Sequence, residues 1–384
     1  MISAWLLPEH IEDILPPYAR AAEELRRRLL DLFDGYGYDL VCPPMVEYLD
    51  SLLTGAASDL DLNTFKVVDA ASGRMMGLRA DITPQTCRID AHLLNRHGVT
   101  RLCYAGSVLH TRPAGFHSSR EPFQIGAELF GHAGMEADRE ILVLLLSALK
   151  LAGIPDARVS LGHVGLFREL AHNAGLLPGE AAALFAALKL KDVPEVVRLT
   201  ESVSEPWQPA LRALPELYGG PEILHRAAYI LPPTHAVRAA IEELDRLMQV
   251  DTGIPVSLDL SDLRGFGYHN GVTFAAYAGG QARAVALGGR YDGAGAVFGR
   301  SRPATGFSLD LRQILDCLPE PARRGGILAP CDNDAALLTR IAELRAAGER
   351  VLVELPGQEQ HRPESGCERI LVRTADRWQI KSLS

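Results

Sequence analysis

Four polar residues lie at two-residue or four-residue spacing in a stretch that is otherwise typical of strands and turns. Asp81 and Thr83 are two apart, and Gln124 and Glu128 are four apart within the apolar run 123–130. Because side chains alternate between the two faces of a strand, Gln124 and Glu128 are expected on one face. Carboxylates, an amide and a hydroxyl offer the acceptors and donors that suit a zwitterionic small molecule. From spacing alone, an antiparallel hairpin whose polar face meets water is the competing interpretation.

Two strands and a polar loop must position these groups. Residues 101–110 alternate in hydrophobicity, residues 112–121 are rich in Gly, Ser and Arg, and residues 123–130 form a second apolar run. Further strands are predicted at 38–42, 64–69, 75–79, 158–163, 256–260, 272–277 and 282–286, and helices at 18–33, 45–54, 82–95, 137–151 and 307–318. Strands joined by hairpins predict an antiparallel main sheet flanked by helices, an α+β fold.

Three segments organise the chain. Residues 1–320 are predicted to form the core, and residues 165–250, rich in Ala, Leu and Glu and broken by prolines, are predicted to be a helical insertion within it. A simple helical cap on the sheet accounts for the same composition. A linker rich in Pro, Arg and Gly precedes residues 326–384, which are predicted to be a small C-terminal α/β appendage.

The composition excludes several classes of protein. The chain has 384 residues, 47% hydrophobic, and a formal charge of −9, which argues against a broad nucleic-acid surface. Its six cysteines show no C-x-x-C pair or metal-ligand spacing, so we expect reduced thiols and no metal site. No cofactor is expected either. No signal-like or membrane-length segment is evident, so we expect a cytoplasmic protein.

Two glycine-rich segments carry further chemistry. Residues 264–269 place Arg264, Tyr268 and His269 around a bend where glycine permits close backbone approach to a ligand. An arginine there could clamp a carboxylate, although a surface turn would have the same composition. Residues 288–293 lack the spacing of a phosphate loop, which favours a turn that points Tyr291 into a pocket.

These segments together resemble one family in their order along the chain. From about residue 5 to 318 the sequence is similar to the catalytic core of histidyl-tRNA synthetase, a class II aminoacyl-tRNA synthetase. Residues 41–47 resemble the family's first motif, which builds its dimer interface, and residues 101–131 resemble the second. The resemblance implies a histidine pocket, with acidic groups on the ammonium and polar and aromatic groups around the imidazole. Its lining residues would be Asp81, Thr83, Gln124, Glu128, Arg264, Tyr268, His269 and Tyr291.

Two positions that serve ATP in the synthetase family carry other residues here. The second motif has Phe-Arg-x-Glu in the family, whereas residues 108–111 read Val-Leu-His-Thr, so Leu109 replaces the arginine. The third motif ends in Glu-Arg, whereas residues 312–313 are Arg-Gln. Because cationic groups stabilise charge developing on the triphosphate, their loss predicts disabled adenylation. Arg112 and Arg120 are the residual anion contacts that could compensate.

A synthetase-like core without these arginines, followed by a tail too short for an anticodon-binding domain, resembles the ATP phosphoribosyltransferase regulatory subunits of histidine biosynthesis. That resemblance implies a non-catalytic, allosteric subunit that activates a short catalytic subunit in the first pathway step and transmits feedback inhibition by histidine. A dimer through residues near Pro43 and Pro44 is also expected. The alternatives are an active histidyl-tRNA synthetase that uses Arg112, Arg120 and Arg312, and an enzyme that adenylates a non-tRNA acceptor.

Overall fold

The computed structural model describes residues 5–54, 58–115, 118–251, 253–263, 268–281, 283–375 and 377–383. Two compact units make up the chain. The first consists of Met1–Asp13 with Ala22–Pro319, and the second of Ile14–Ala21 with Glu320–Ser384. Across the described ranges, no helix is both long enough and apolar enough to cross a membrane.

The first unit contains a large mixed sheet and a small one. The strands in chain order are β1 (Asp39–Leu40), β2 (Val46–Tyr48), β3 (Phe65–Val68), β4 (Met75–Leu78), β5 (Thr100–Ser107), β6 (Phe123–Phe130), β7 (Arg158–His163), β8 (Tyr218–Gly219), β9 (Val256–Asp259), β10 (Val272–Tyr277), β11 (Ala284–Arg290) and β12 (Ala304–Asp310). The large sheet has the order β1-β5-β6-β12-β11-β10-β7-β9-β8, and the small sheet has the order β2-β4-β3.

The α+β fold class is confirmed, and the sheet has one feature that the sequence did not predict. Strands β5, β6, β12, β11, β10 and β7 pair antiparallel in that order. The outer pairs β1–β5 and β7–β9 are parallel. Parallel neighbours need a long crossover, and the segment after β7 supplies one before β9.

Helices connect and cover these strands. They are α1 (Tyr18–Gly35), α2 (Leu49–Leu52), α3 (Ser58–Asn63), α4 (Thr83–Arg88), α5 (Met135–Ala152), α6 (Val164–Asn173), α7 (Pro178–Lys189), α8 (Val193–Leu199), α9 (Trp207–Ala213), α10 (Glu222–Ile230), α11 (His235–Met248) and α12 (Leu311–Asp316). The first four residues of α1 belong to the second unit. A π-helical segment, Ile89–Leu94, continues α4. Helix α5 packs on β6 and β12, and α11 packs on β7 and β10.

Helix α5 shows how the sequence sets its own boundaries. Its first turn carries Glu136 and Asp138, which complement the positive end of the helix dipole, and Lys150 lies in the last turn. Gly153 ends the helix with φ 72°, a left-handed conformation that glycine adopts without steric cost. The helix therefore has a defined start, and that start places Asp138 beneath the large sheet.

Two predicted helices were wrong in part. Residues 45–54 contain strand β2 followed by the short helix α2, and residues 307–318 contain the end of β12 followed by α12. Five of the seven residues of β12 are buried, so both faces of the strand are covered, although Thr305, Ser308 and Asp310 are polar. A strand covered on both faces lacks the alternation of apolar and polar residues that distinguishes a strand from a helix in the sequence.

The second unit is a small sheet with a helix. Its elements are β13 (Ile327–Pro330), α13 (Ala335–Ala346), β14 (Val351–Glu354), β15 (Arg369–Thr374) and β16 (Arg377–Ser382), in the strand order β14-β13-β15-β16. Leu337, Ile341 and Leu344 of the helix pack with Ile327 and Leu371 of the strands. This unit therefore has a hydrophobic core of its own.

Candidate functional site

Three parts of the first unit bring polar groups to one face of the large sheet. Asp81 and Thr83 lie where β4 passes into α4, Gln124 and Glu128 lie on β6, and Tyr291 directly follows β11. Strand register places Gln124 opposite Gly106 and Glu128 opposite both Leu102 and Gly306, so the two β6 side chains share a face.

The outer part of the site is a hydrogen-bonded carboxylate and amide. Gln124 donates from Nε2 to Oδ1 of Asp81 at 2.8 Å, and its Oε1 accepts from the backbone N–H of Ile82 at 2.8 Å. The same oxygen of Asp81 accepts from the backbone N–H of Thr83 at 3.0 Å. Asp81 and Gln124 are both half-buried, so a ligand can reach them from solvent.

The inner part of the site is a buried carboxyl group between two tyrosines. Glu128 is 1% exposed; its Oε1 accepts a hydrogen bond from the Tyr104 hydroxyl at 3.1 Å, and its Oε2 accepts one from the Tyr291 hydroxyl. The Tyr104 hydroxyl also lies 3.2 Å from Oγ1 of Thr83. A Cβ at Gly306 would overlap the Glu128 carboxylate, so glycine is required on the neighbouring strand.

Aromatic rings form one wall of the site. Tyr268 stacks on Tyr291 with centroids 4.8 Å apart, and His269 meets Tyr268 edge to face at 5.5 Å. The Tyr268 hydroxyl lies 3.7 Å from the sulfur of Cys87. His269 also borders an adjoining cavity of about 100 Å³ that Thr273 and other residues line.

Burial decides the protonation of the inner carboxyl group. Burial raises the pKa of Glu128 to about 8, and the charge of Asp81 adds to the increase, although the hydrogen bond from Tyr291 opposes it. The pKa values of Tyr104 and Tyr291 are raised well above their usual range, first by burial and then by the Glu128 charge. A pKa of about 8 favours the protonated form of Glu128 at neutral pH.

This protonation predicts a pH dependence of stability. Between pH 4.5 and about 8 the unfolded chain has released the Glu128 proton while the folded chain keeps it, so the free energy of unfolding falls as pH rises. One proton corresponds to a slope of about 1.4 kcal/mol per pH unit. We expect Glu128→Gln, which imitates the protonated acid, to remove that slope from urea-unfolding measurements. A parallel pH dependence in the variant and the wild type would contradict it.

The structure places most, but not all, of the residues singled out from the sequence. It brings together Asp81, Thr83, Gln124, Glu128, Tyr268, His269 and Tyr291. Arg264 lies outside the described residues. The interpretation in which the polar hairpin face meets water is wrong for Glu128, which is buried. Sequence reasoning missed Tyr104, because only the strand register shows that it lies opposite Gly126, between Gln124 and Glu128.

The loop next to the pocket carries the arginines that were considered as anion contacts. Arg112 is exposed, whereas Arg120 is half-buried and donates to the His110 carbonyl at 3.1 Å, with its guanidinium 5.0 Å from the centre of the Phe65 ring. Arg312 lies 3.4 Å from Glu121. Arg120 and Arg312 therefore already have partners within the chain. In the parts of the chain that the structure describes, no cluster of His, Cys, Asp and Glu could hold a metal ion.

Comparison with known families divides the chain close to Glu320, where the C-terminal segment of the second compact unit begins. Residues 10–314 match the model of the histidyl-tRNA synthetase family. Residues 324–381 match the model of the ATP phosphoribosyltransferase subunit HisZ C-terminal domain. A synthetase-type first unit is thus combined with a second unit of a different family.

Relatives and solved structures extend the similarity over the whole chain. The chain is 54% identical to an ATP phosphoribosyltransferase regulatory subunit of Azoarcus sp. and 56% identical to one of Cupriavidus taiwanensis, covering 99% of both sequences in each case. A Bacillus halodurans structure described as an ATP phosphoribosyltransferase regulatory subunit/histidyl-tRNA synthetase has a TM-score of 0.85 at 26% identity, covering 96% of this chain and 98% of that one.

A more distant structure shows the fold alone. Histidyl-tRNA synthetase from Nostoc sp. PCC 7120 has a TM-score of 0.81 at 16% identity, covering 98% of this chain and 94% of that one. The fold is thus that of the synthetases, whereas the full-length sequence relatives are regulatory subunits. The chain belongs to the family of ATP phosphoribosyltransferase regulatory subunits.

Proposed function

We propose that this chain is a non-catalytic subunit that binds histidine, activates a short catalytic ATP phosphoribosyltransferase and transmits feedback inhibition by histidine. Histidine binding is supported by one observation, the arrangement of polar groups in the site. Asp81 bonds to Gln124, and Glu128 lies between two tyrosine hydroxyls, which suits a small zwitterion that also bears N–H donors. The relatives' names support the regulatory role and assembly with a catalytic partner. A histidine that favours one state of the complex shifts the equilibrium between its active and inhibited states.

The two carboxylates of the pocket suit different parts of histidine. From the sequence, both were expected to contact the ammonium group. Asp81 is half-buried at the outer end, whereas Glu128 is buried between two tyrosine hydroxyls. We therefore assign the ammonium to Asp81 and Gln124, and an imidazole N–H to Glu128. A neutral acid at Glu128 also avoids the cost of burying a charge close to Asp81.

The nucleotide half of the synthetase site lacks its cations. Leu109 occupies one position that holds an arginine in synthetases, and Gln313 occupies another. Arg312 lies beside Glu121 and its Nη1 donates to the Glu12 carbonyl at 3.4 Å, so it is not directed at an empty phosphate position. These contacts support a subunit that keeps an amino-acid pocket without activating the amino acid.

Loss of adenylation can be tested by histidine-dependent exchange between ATP and pyrophosphate. We expect no exchange above the blank for the wild-type chain, with an active histidyl-tRNA synthetase as positive control. Leu109→Arg alone should also stay at the blank, because Gln313 leaves the second position without a cation. Robust exchange by the wild type would favour the alternative, an active synthetase, which the family match over residues 10–314 makes the rival to test. Exchange gained by the single variant would show that the second position is dispensable.

A second copy of the chain is the proposed partner of the small sheet. Strands β2, β3 and β4 expose apolar side chains next to Pro43 and Pro44, and Val68 is 64% exposed. An exposed apolar sheet surface of this kind favours burial in an interface. The resemblance of residues 41–47 to the dimer motif of the synthetases supports the same assignment.

Self-association through this sheet can be tested by one substitution. We expect Val68→Glu to convert a dimer to a monomer in sedimentation-velocity experiments, because the interface would bury an unpaired charge. Leu190→Glu is the matched control, since Leu190 is 78% exposed between α7 and α8. A Val68→Glu protein that sediments like the wild-type dimer would exclude this sheet as the interface.

A further inference from the structure

Two adjacent residues connect the pocket with the opposite side of the large sheet. Tyr291 donates its hydroxyl hydrogen bond to Glu128 in the pocket, whereas Arg290, one residue earlier, is 6% exposed and bonds to Asp138 of helix α5. Successive side chains of a strand point to opposite faces. A displacement of the backbone at this point therefore moves groups on both faces of the sheet.

The backbone around this pair is held firmly on both sides. The Asn270 backbone N–H donates to the Arg290 carbonyl at 2.9 Å, and the Asn270 side chain exchanges hydrogen bonds with the Asp292 backbone at 3.0 and 3.1 Å. The Tyr291 backbone N–H donates to the Ala304 carbonyl at 2.8 Å. Tyr291 is therefore part of a connected unit and not a freely rotating side chain on a loop.

Beneath the sheet, the ionic contacts of Arg290 continue toward helix α11. Arg290 donates from Nε to Oδ2 of Asp138 at 2.9 Å, and Asp138 is fully buried. On α11, Glu243 lies 3.2 Å from Nε2 of His163 at the end of β7. Helix α11 also packs against α5, which carries Asp138. Burial raises the pKa of Glu243, but the hydrogen bond with His163 and the charge of Arg290 lower it overall, in keeping with this packing. The network joins β11, α5, α11 and β7.

A ligand in the pocket would act on this network through Glu128. An N–H donor that binds a carboxyl oxygen of Glu128 competes with the Tyr291 hydroxyl for that acceptor. Because Tyr291 and Arg290 are adjacent and their backbone is tied into one unit, a shift of Tyr291 that follows a change in this hydrogen bond would be transmitted to Arg290. The positions of Arg290 and Tyr291 with and without a bound ligand would then differ in how strongly Arg290 holds Asp138 of helix α5.

We propose that Arg290 and Tyr291 couple occupancy of the pocket to helix α11, through the buried contacts of Arg290 with Asp138 and of Glu243 with His163. This inference rests on the proposed histidine binding. It identifies α11, within the helical segment between β7 and β9, as a part of the chain that responds to the effector. Arg290 and Glu243 are positioning residues in this mechanism, since neither contacts the ligand.

Hydrogen–deuterium exchange of the full chain with and without saturating L-histidine tests the coupling. In the wild type we expect slower exchange in peptides of β6, which contain Glu128, and also in peptides covering α11. Glu243→Gln should keep the β6 protection and a Kd within about three-fold of the wild type, but lose the α11 protection. Glu242→Gln is the matched control, because Glu242 forms an exposed pair with Arg246 on the same helix.

The outcomes separate this inference from the proposed function. Protection of β6 without any change in α11 of the wild type would overturn the coupling and leave histidine binding intact. Protection of α11 that persists in Glu243→Gln would overturn the assigned network. Absence of protection in β6 itself would refute histidine binding, and the coupling with it. The wild-type comparison decides the question even if the Glu243 variant does not fold.

Discussion

Replacing Glu128 by alanine is expected to weaken histidine binding by about 100-fold, which corresponds to about 2.7 kcal/mol. The variant removes the acceptor for the imidazole N–H and leaves the hydroxyl groups of Tyr104 and Tyr291 without their shared partner. A buried donor without an acceptor costs free energy in the bound state unless water replaces the lost group. Isothermal titration calorimetry of the ligand-free chain with L-histidine measures the effect directly.

Glu140→Ala provides the control for this experiment. Glu140 also lies on the first unit, where it accepts two hydrogen bonds from Arg101 at 2.7 Å and one from Tyr38 at 2.9 Å, but it is not part of the pocket. We expect histidine affinity within about two-fold of the wild type for this variant, because distant sites contribute independently. Unchanged affinity in Glu128→Ala would remove Glu128 from the binding site.

Replacing Arg302 by alanine is expected to lower the free energy of unfolding by about 3–5 kcal/mol, as for other broken buried ion pairs. Arg302 is 7% exposed and lies 2.6 Å from Asp90, which is 2% exposed, and it also bonds to the Gly98 carbonyl. The variant leaves the Asp90 carboxylate buried without its cation, in the π-helical segment that continues α4. Urea unfolding followed by circular dichroism measures the loss.

A second substitution distinguishes the buried charge from lost packing. The double variant Asp90→Ala/Arg302→Ala is expected to be more stable than Arg302→Ala alone, because it no longer buries an unpaired carboxylate. Arg198→Ala, which breaks an exposed pair with Glu195, should cause no measurable change. A loss below about 1 kcal/mol in Arg302→Ala would show that water or another group compensates Asp90.

The sequence predicted the elements that carry the site more accurately than it predicted the site's interior. The hairpin of β3 and β4 followed from the strands predicted at 64–69 and 75–79 and the turn residues between them, and residues 158–163 were identified as the strand that the structure contains. Residues 307–318 were misread because both faces of β12 are covered. Hydrophobic periodicity predicts whether a segment is a helix or a strand when one of its faces is polar. It does not do so when both faces are buried.

The four-residue spacing of Gln124 and Glu128 correctly placed both side chains on one face of a strand. It did not show that Glu128 is buried whereas Gln124 is only half-buried. Depth depends on what covers each residue, and Glu128 is covered by Tyr104 and Tyr291, which come from distant parts of the sequence. The part played by Tyr104 and the position of Arg290 beneath the sheet both depend on strand register. Register is a tertiary property, so a single sequence without an alignment does not reveal it.

The most direct test of the central proposal is to titrate this chain into a short catalytic ATP phosphoribosyltransferase and to measure phosphoribosyl transfer to ATP. We predict that the activity of the catalytic subunit rises to a plateau as the chain is added, and that L-histidine then lowers it. The histidine effect should be lost with Glu128→Ala, while activation remains. A catalytic subunit whose activity does not change on addition of the chain, with or without histidine, would contradict the proposed function.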